Sequence, residues 1–337
     1  MTMSISHLSL FLVFFSLYTS LSQSSTSLYL SPALFFPNYQ RMLQSFKIYT
    51  YTPPQPFSFT SPVESLFFTS LQNSHFITLN PEQAHLFFIP FPSDLSPRSL
   101  ARVIRDLRTE FPYWNRTLGA DHFYISCTGL GYESDRNLVE LKKNSVQISC
   151  FPSPNGKFVP HKDITLPPLV PSTIHKSSNK RRPYKAFVKY DGVEELRGDL
   201  EVLIESQPSD EKTRSEFCLF DYAANISGIG EALSSGCVPL VITERPIQDL
   251  PLMDVLRWQE IAVIVGSSDD GFKWVKRVLN GTCSRGDTCE RMRRLGAGAS
   301  QHLVWNETPE PYDAFHMVMY QLWLRRHTIR YARREWI

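Results

Sequence analysis

The chain has 337 residues, enough to bury a sizeable core and to form two domains of ordinary size. Its 42% hydrophobic and 13% aromatic content excludes a disordered chain. With 35 basic and 33 acidic residues the net charge is only +2, which excludes bulk attraction to nucleic acid, so any anion site must be local.

Residues 8–21, LSLFLVFFSLYTSL, form an apolar run followed by the polar stretch SQSSTS. The run is shorter than the ~20 residues that span a bilayer and fits a signal-peptide core. Ser20 and Ser22 are small residues at the spacing of a cleavage site, although no Lys or Arg precedes the run. A targeting segment over residues 1–27 is expected, either a cleaved signal or a short membrane anchor. The other reading is a buried first helix or strand. Sequons at Asn115, Asn225, Asn280 and Asn306 agree with a secretory compartment, and so do six cysteines. Asn225 is expected to stay unmodified. Cys283 and Cys289 bracket the polar loop SRGDT, which a disulfide would close. Cys127, Cys150, Cys218 and Cys237 are scattered without a C-x-x-C, which argues for disulfides or buried thiols over a metal site.

From Phe46 to Tyr51 the pattern predicts a strand stopped by Pro53 and Pro54, then a helix over 63–72 and a short one from Pro81. His85 to Pro90 and His122 to Ser126 are apolar runs of the kind buried on both faces of a parallel sheet. Between them, Leu100, Val103, Ile104 and Leu107 share one helical face. Seven prolines between 152 and 183 and the cluster Lys180-Arg181-Arg182 predict an interdomain linker. Strands follow at Phe217–Phe220, Val238–Ile242 and Ala262–Val265, with helices at 226–234 and 271–279. A long helix from Tyr312 to Arg334 ends in arginines, which complement a helix dipole. Alternating strands and helices predict an α/β fold with a largely parallel sheet.

The stretch Ser227-Gly228-Ile229-Gly230-Glu231, running on to Gly236 and a buried strand, has the layout of a nucleotide site. The loop and helix start offer N–H groups to a diphosphate, and Glu231 can accept both ribose hydroxyls. A solvated surface glutamate with two bend glycines is the plainer reading. Asp121 and His122 precede a buried strand and are candidate acid/base residues; a turn cap and a satisfied core histidine are the alternative. His161 and Asp163, near the domain boundary, are second candidates.

Residues 231–242, EALSSGCVPLVI, with Leu250-Pro251-Leu252, Asp254-Val255-Leu256 and Trp258, resemble the C-terminal signature of the exostosin glycosyltransferases. Phe46–Tyr49, Ala84–Pro90, Trp114–Arg116, Gly119–Phe123 and Val159–Pro167 stand in the family's order, so the resemblance spans about residues 45–280. It implies a GT-B architecture, two Rossmann-like domains facing a cleft. The divisions expected are an acceptor-side domain over 28–175, a nucleotide-sugar domain over 176–306 and a C-terminal helix over 307–337. It further implies an inverting transferase of the Golgi lumen that moves a sugar from a nucleotide-sugar, UDP-linked by expectation, onto a glycan. Membrane association through the N-terminus and pairing with another glycosyltransferase are compatible with that. No Asp-x-Asp occurs, so no metal or other cofactor is expected. Relatives usually carry an arginine where this chain has Gly228, and Arg245 or Arg214 would have to replace it at the diphosphate. A homologue impaired in transfer, or a glycan-binding secretory protein, is the alternative that this departure leaves open.

Overall fold

The computed structural model describes residues 27–53, 55–92, 94–131, 134–169, 184–188, 202–204, 215–223, 226–266, 272–282 and 287–332. The apolar N-terminal run, Arg214, Asn225 and Cys283 lie outside these residues.

The first half is built on short strands β1 (Ile48–Thr50), β2 (Leu86–Phe88), β3 (His122–Ile125), β4 (Val146–Cys150) and β5 (Ile164–Leu166), parallel and paired in that order. Ile77 makes a parallel bridge to the free side of β1, through Ile48 N–H to Phe76 O and Thr78 N–H to Ile48 O. The chain therefore reverses its direction of travel across the sheet between β1 and β2, the mark of a doubly wound fold. Helices α1 (Pro32–Ser45), α2 (Pro62–Gln72), α3 (Pro97–Glu110) and α4 (Pro112–Thr117) each begin on a proline, which has no N–H to leave unsatisfied in the first turn. Helix α5 (Arg136–Asn144) starts on Asp135, whose carboxylate accepts from Asn137 N–H. Alternate strand residues face opposite sides: Leu86, Phe88, Phe123 and Ile125 enter one apolar cluster, Phe87 and Tyr124 another beneath α3 and α5.

The second half repeats the plan. Strands β6 (Tyr184–Val188), β7 (Val202–Ile204), β8 (Ser215–Asp221), β9 (Val238–Thr243) and β10 (Val263–Gly266) are all parallel, in the order β10-β9-β8-β6-β7. Its reversal falls between β6 and β8. Helix α6 (Ile229–Ser234) joins β8 to β9 and stops at Gly236, whose φ of +71° closes a paired cap: Gly236 N–H donates to Leu233 O and Cys237 N–H to Ala232 O. Helices α7 (Phe272–Thr282), α8 (Thr288–Gln301) and α9 (Ala314–Ala332) follow. Two doubly wound parallel sheets are the expected α/β architecture.

The two halves exchange their ends. Near the N-terminus Tyr29 bridges to Leu256 of the second half, and Leu30 N–H donates to Val255 O at 2.9 Å. The C-terminal helix α9 returns to the first half, packing Phe315 on Phe67 and Trp323 on Phe46. One apolar cluster consequently runs through both halves.

Several expectations need correction. The proline-rich stretch taken as linker contains β5, which completes the first sheet. Helices α1, α4, α5 and α8 lie where no helix was predicted, α1 because Pro37 inside it breaks the usual pattern. The arginines of the last helix are not all dipole partners: Arg325 is buried and donates to Asp254 Oδ2 at 2.7 Å and to the carbonyls of Lys162 and Asp163. It ties α9 to both halves at once.

Candidate functional site

The C-terminal ends of the two sheets face each other across a cavity of about 600 Å³. Pro152 to Asn155, just past β4, form one wall. Asp221 to Ala223 at the end of β8, and Ile242 to Arg245 at the end of β9, form the other. Crevices at the carboxyl ends of parallel strands, beside a reversal in strand order, are where open α/β sheets hold ligands, because the chain leaves the sheet in opposite directions there. The size suits a small organic molecule.

Asp249 fixes the relation of the two walls. It is buried, and its Oδ2 accepts from Ser153 N–H at 2.8 Å and Ser153 Oγ–H at 2.6 Å. Its Oδ1 accepts from the Tyr222 hydroxyl, and its backbone oxygen accepts from Thr165 Oγ–H at 3.0 Å. Burial, reinforced by this carboxylate, pushes the Tyr222 phenol well above its ordinary value, so it stays protonated and donating. Arg245 lies 5.9 Å from the centre of the Tyr222 ring and donates to Asn155 Oδ1 across the cavity. Two carboxylates share the lining: Asp221, which accepts from Ala223 N–H at 2.8 Å, and Glu244, which is exposed.

Of the predicted donor residues, Arg245 lies on this cavity. Ser227, Gly228, Gly230 and Glu231 follow the Asp221–Ala223 wall along the chain and form the entry and first turn of α6, but do not line it. Gly230 is buried and Glu231 half-buried. Gly228 has φ −77°, and a Cβ there would meet Phe220 Cε1 at 3.5 Å, so neither backbone nor space demands glycine.

The predicted acid/base candidates are elsewhere. Asp121 and His122 sit at the amino end of β3, opposite the cavity. His122 is fully buried between Tyr51 and Phe87, Nδ1 on Asp121 Oδ1 at 2.7 Å and Nε2 on the Tyr51 hydroxyl at 2.9 Å. Burial lowers its pKa, which sets the tautomer: neutral, donating through Nδ1 to Asp121 and accepting from Tyr51. Asp121 is held further by Arg116 at 3.0 Å and Thr117 at 2.6 Å. Burial opposes its charge, yet these donors keep its carboxyl below the ordinary value. The pair is a closed structural network.

Asp163, at the amino end of β5, is buried with Lys142 and Lys162 and accepts from the amides of Gln147 and Val159. His161 is exposed in the preceding turn. Neither lines the cavity. Sequence reasoning missed Asp221, Tyr222, Glu244 and Asp249. Their one signal was position, at or after the ends of predicted strands, where a buried run turns polar.

Cys127 pairs with Cys150 and Cys218 with Cys237; Cys289 is also disulfide-bonded, and Cys283, its expected partner, lies outside the described residues. The second bridge ties the cap of α6 to β8. The sequons at Asn115 and Asn280 are exposed, while Asn306 is half-buried with Nδ2 donating to Asp313 Oδ2 at 3.2 Å. Among the described residues no group of three or more His, Cys, Asp or Glu could hold a metal ion, and no helix is long and apolar enough to cross a membrane.

Comparison with known proteins matches the Exostosin GT47 domain to residues 42–200. A probable glycosyltransferase of Arabidopsis thaliana is 28% identical over 90% of this chain and 66% of its own length, so the chain spans just under two thirds of that relative. A probable beta-1,4-xylosyltransferase of Arabidopsis thaliana is 27% identical over 72% of the chain and 69% of its own. Among solved structures, the pneumococcal O-GlcNAc transferase GtfA in complex with UDP and GlcNAc aligns over 69% of this chain and 59% of its own, at 10% identity and a TM-score of 0.33, a likeness too slight to argue from. The chain is thus similar to the Exostosin GT47 domain over β1 to β6, just under half of its residues, and to relatives named as glycosyltransferases across most of its length.

Proposed function

We propose that the chain transfers a sugar from a nucleotide-sugar donor to a glycan acceptor in the cavity between the two sheets, with inversion, in the Golgi lumen. The observation that carries the reading is the cavity itself, at the carboxyl ends of two doubly wound sheets, with a guanidinium at its wall. In the proposal Arg245 supports the leaving diphosphate, the work that a basic side chain must do where no metal is used. Asp221, held in place by Ala223 N–H, takes the proton of the acceptor hydroxyl. Glu231, in the first turn of α6 and outside the cavity lining, holds the ribose where the donor extends past the Asp221–Ala223 wall. The donor's uridine and the compartment are inferences from the resemblance and from the sequons and apolar N-terminal run.

The test is calorimetric titration of UDP into the full chain and into Arg245→Ala and Glu231→Ala. Each lost charge-assisted contact is worth ~1.5–3 kcal/mol, so each variant should bind about ten- to a hundredfold more weakly. Asp221→Asn should bind UDP as wild type does and lose transfer. A second reading has a specific observation behind it: Gly228 leaves the loop without the family's arginine, and two carboxylates line the cavity with Arg245. If wild type and variants alike fail to bind UDP, the chain is a glycan-binding homologue without transfer.

A further inference from the structure

A second cavity, of about 550 Å³, lies beneath the N-terminal segment and shares no lining residue with the first. Its lining combines the rings of Tyr29, Phe36 and Tyr312 with the polar ends of Gln301, Asn306 and Glu310. Phe36 is 45% exposed, and Leu30 and Leu34 beside it in the chain are exposed too. A large apolar ring kept in water on the lining of a cavity, with exposed leucines near it in the chain, points to a ligand that covers it.

Tyr312, on the same lining, is held in a fixed place. Its φ is +67°, a left-handed conformation that a bulky residue adopts only where the surroundings force it. The surroundings do so here. Tyr312 N–H donates to the Tyr39 hydroxyl at 2.8 Å, its ring stacks on Tyr39 at 4.2 Å, and its carbonyl accepts from His302 Nδ1 at 2.7 Å. His302 is buried, which lowers its pKa and keeps it neutral, so Nδ1 donates and Nε2 accepts from the Tyr29 hydroxyl at 2.9 Å. One imidazole thus positions two of the three lining rings. The sharp entry into α9 accounts for part of this strain, since Asp313 caps that helix through His316 N–H. It does not account for the exposed Phe36 ring.

We propose that this cavity is a second carbohydrate site, which takes an uncharged pyranose chain. A pyranose offers a C–H face to an aromatic ring and a rim of hydroxyls to amides and carboxylates, and the lining supplies both. Glu310 and Asp313 are carboxylates, and no Lys or Arg is among the described lining residues, so a uronate or phosphorylated sugar would meet like charge. The same chemistry has two sources. One is a glycan chain held while its end is worked on at the first cavity. The other is an N-glycan on Asn306, whose amide lines this cavity within the sequon Asn306-Glu307-Thr308. The proposal does not rest on a nucleotide-sugar in the first cavity.

The experiment titrates xylohexaose, cellohexaose and a galacturonate hexamer into the full chain expressed through the secretory pathway. Phe36→Ala, Gln301→Ala and Thr308→Ala are titrated alongside, the last removing the sequon while keeping Asn306. A neutral hexamer should bind wild type or Thr308→Ala and bind Phe36→Ala about five- to tenfold more weakly. UDP binding should stay unchanged in all three. Phe36 also packs edge-on against Tyr29, so Gln301→Ala, at an exposed position, is the variant whose folding is not in question. It too should weaken the neutral hexamer. Binding that emerges only in Thr308→Ala identifies the Asn306 glycan as the resident sugar; equal binding identifies a separate chain. The proposal falls if neither wild type nor Thr308→Ala binds a neutral hexamer, if Phe36→Ala and Gln301→Ala, made in whichever of those two backgrounds binds, leave the affinity unchanged, or if the galacturonate hexamer is preferred. Lost UDP binding with intact hexamer binding would bring down the first-cavity reading alone.

Discussion

Replacing Asp163 with alanine should cost the protein much of its stability, and transfer should fall only as the folded fraction falls. The carboxylate is 1% exposed and accepts from the Gln147 and Val159 amides at 3.2 and 2.9 Å. Lys142, itself fully buried, stands 3.5 Å away, and Lys162 pairs with the other oxygen. Burial pulls both lysine pKa values down and Asp163 opposes this, so the carboxylate favours the charged form of a buried and a half-buried ammonium group. Breaking a buried pair by removing one partner costs ~3–5 kcal/mol, because the other charge is left uncompensated. Lys142 keeps Gln147 Oε1 at 3.2 Å and the Lys157 carbonyl, which argues against the top of that range. A loss of ~4 kcal/mol, against a total of ~5–15 kcal/mol for a native protein, lowers the urea midpoint by ~1.3–2 M at a slope of ~2–3 kcal/mol per M. The assay is urea unfolding followed by circular dichroism, with Lys142→Met/Asp163→Asn as the partner variant that should recover part of the loss. If Asp163→Ala unfolded within ~0.5 kcal/mol of wild type while transfer vanished, the structural assignment would be wrong and a chemical role would return.

Four further outcomes are expected. Burial holds His122 and His302 below the ordinary imidazole value of 6.5, so the unfolded chain takes up those protons first; stability is full above about pH 6.5 and declines below it by at most ~1.4 kcal/mol per pH unit per histidine, and urea midpoints flat from pH 6.5 to 5 would contradict this. Gly119→Ala puts a methyl carbon 2.5 Å from Trp114 at a φ of +81° and should cost ~3 kcal/mol by thermal or urea unfolding. Gly228→Arg, at an unstrained φ, should leave the melting temperature unchanged and tighten UDP about tenfold if the loop faces the diphosphate; weaker binding would count against that placement. Glycosidase treatment of secreted protein should shift its mass through the exposed Asn115 and Asn280, and an unglycosylated product would end the luminal reading.

The parts of the fold legible in the sequence were those whose neighbours in space are also neighbours in the chain. Leu86–Phe88 and His122–Ile125 declare themselves as buried strands because every residue is covered. Strand β5 does not, since three residues among prolines acquire a strand's identity only from pairing with β4. The site suffers the same limitation more severely. Asp121 beside His122 looks like an acid/base pair until Tyr51, 71 residues earlier, is seen to occupy the other ring nitrogen. Lys142 looks like a solvated helix residue, and its carboxylate partner arrives 21 positions later. Asp249 carries no motif at all, although it accepts from both sides of the cavity. Long-range polar pairs leave no periodicity behind, so periodicity cannot find them.

The exchange of chain ends between the halves has a consequence for biosynthesis. The first sheet is complete in sequence at Leu166, yet the helix that covers its Phe46, Phe67 and Phe76 begins at Ala314. At ~5–20 residues per second, roughly 7–30 s separate the emergence of β5 from that of α9. During that interval the nascent chain exposes a patch of phenylalanine that nothing yet translated can hide. The first half is thus a natural client for a chaperone, and release by a premature stop before Ala314 would leave the patch open for good. Truncations that spare the whole cavity between the sheets should therefore still be retained and degraded, because the first half is sealed only by α9, made long after its own sheet.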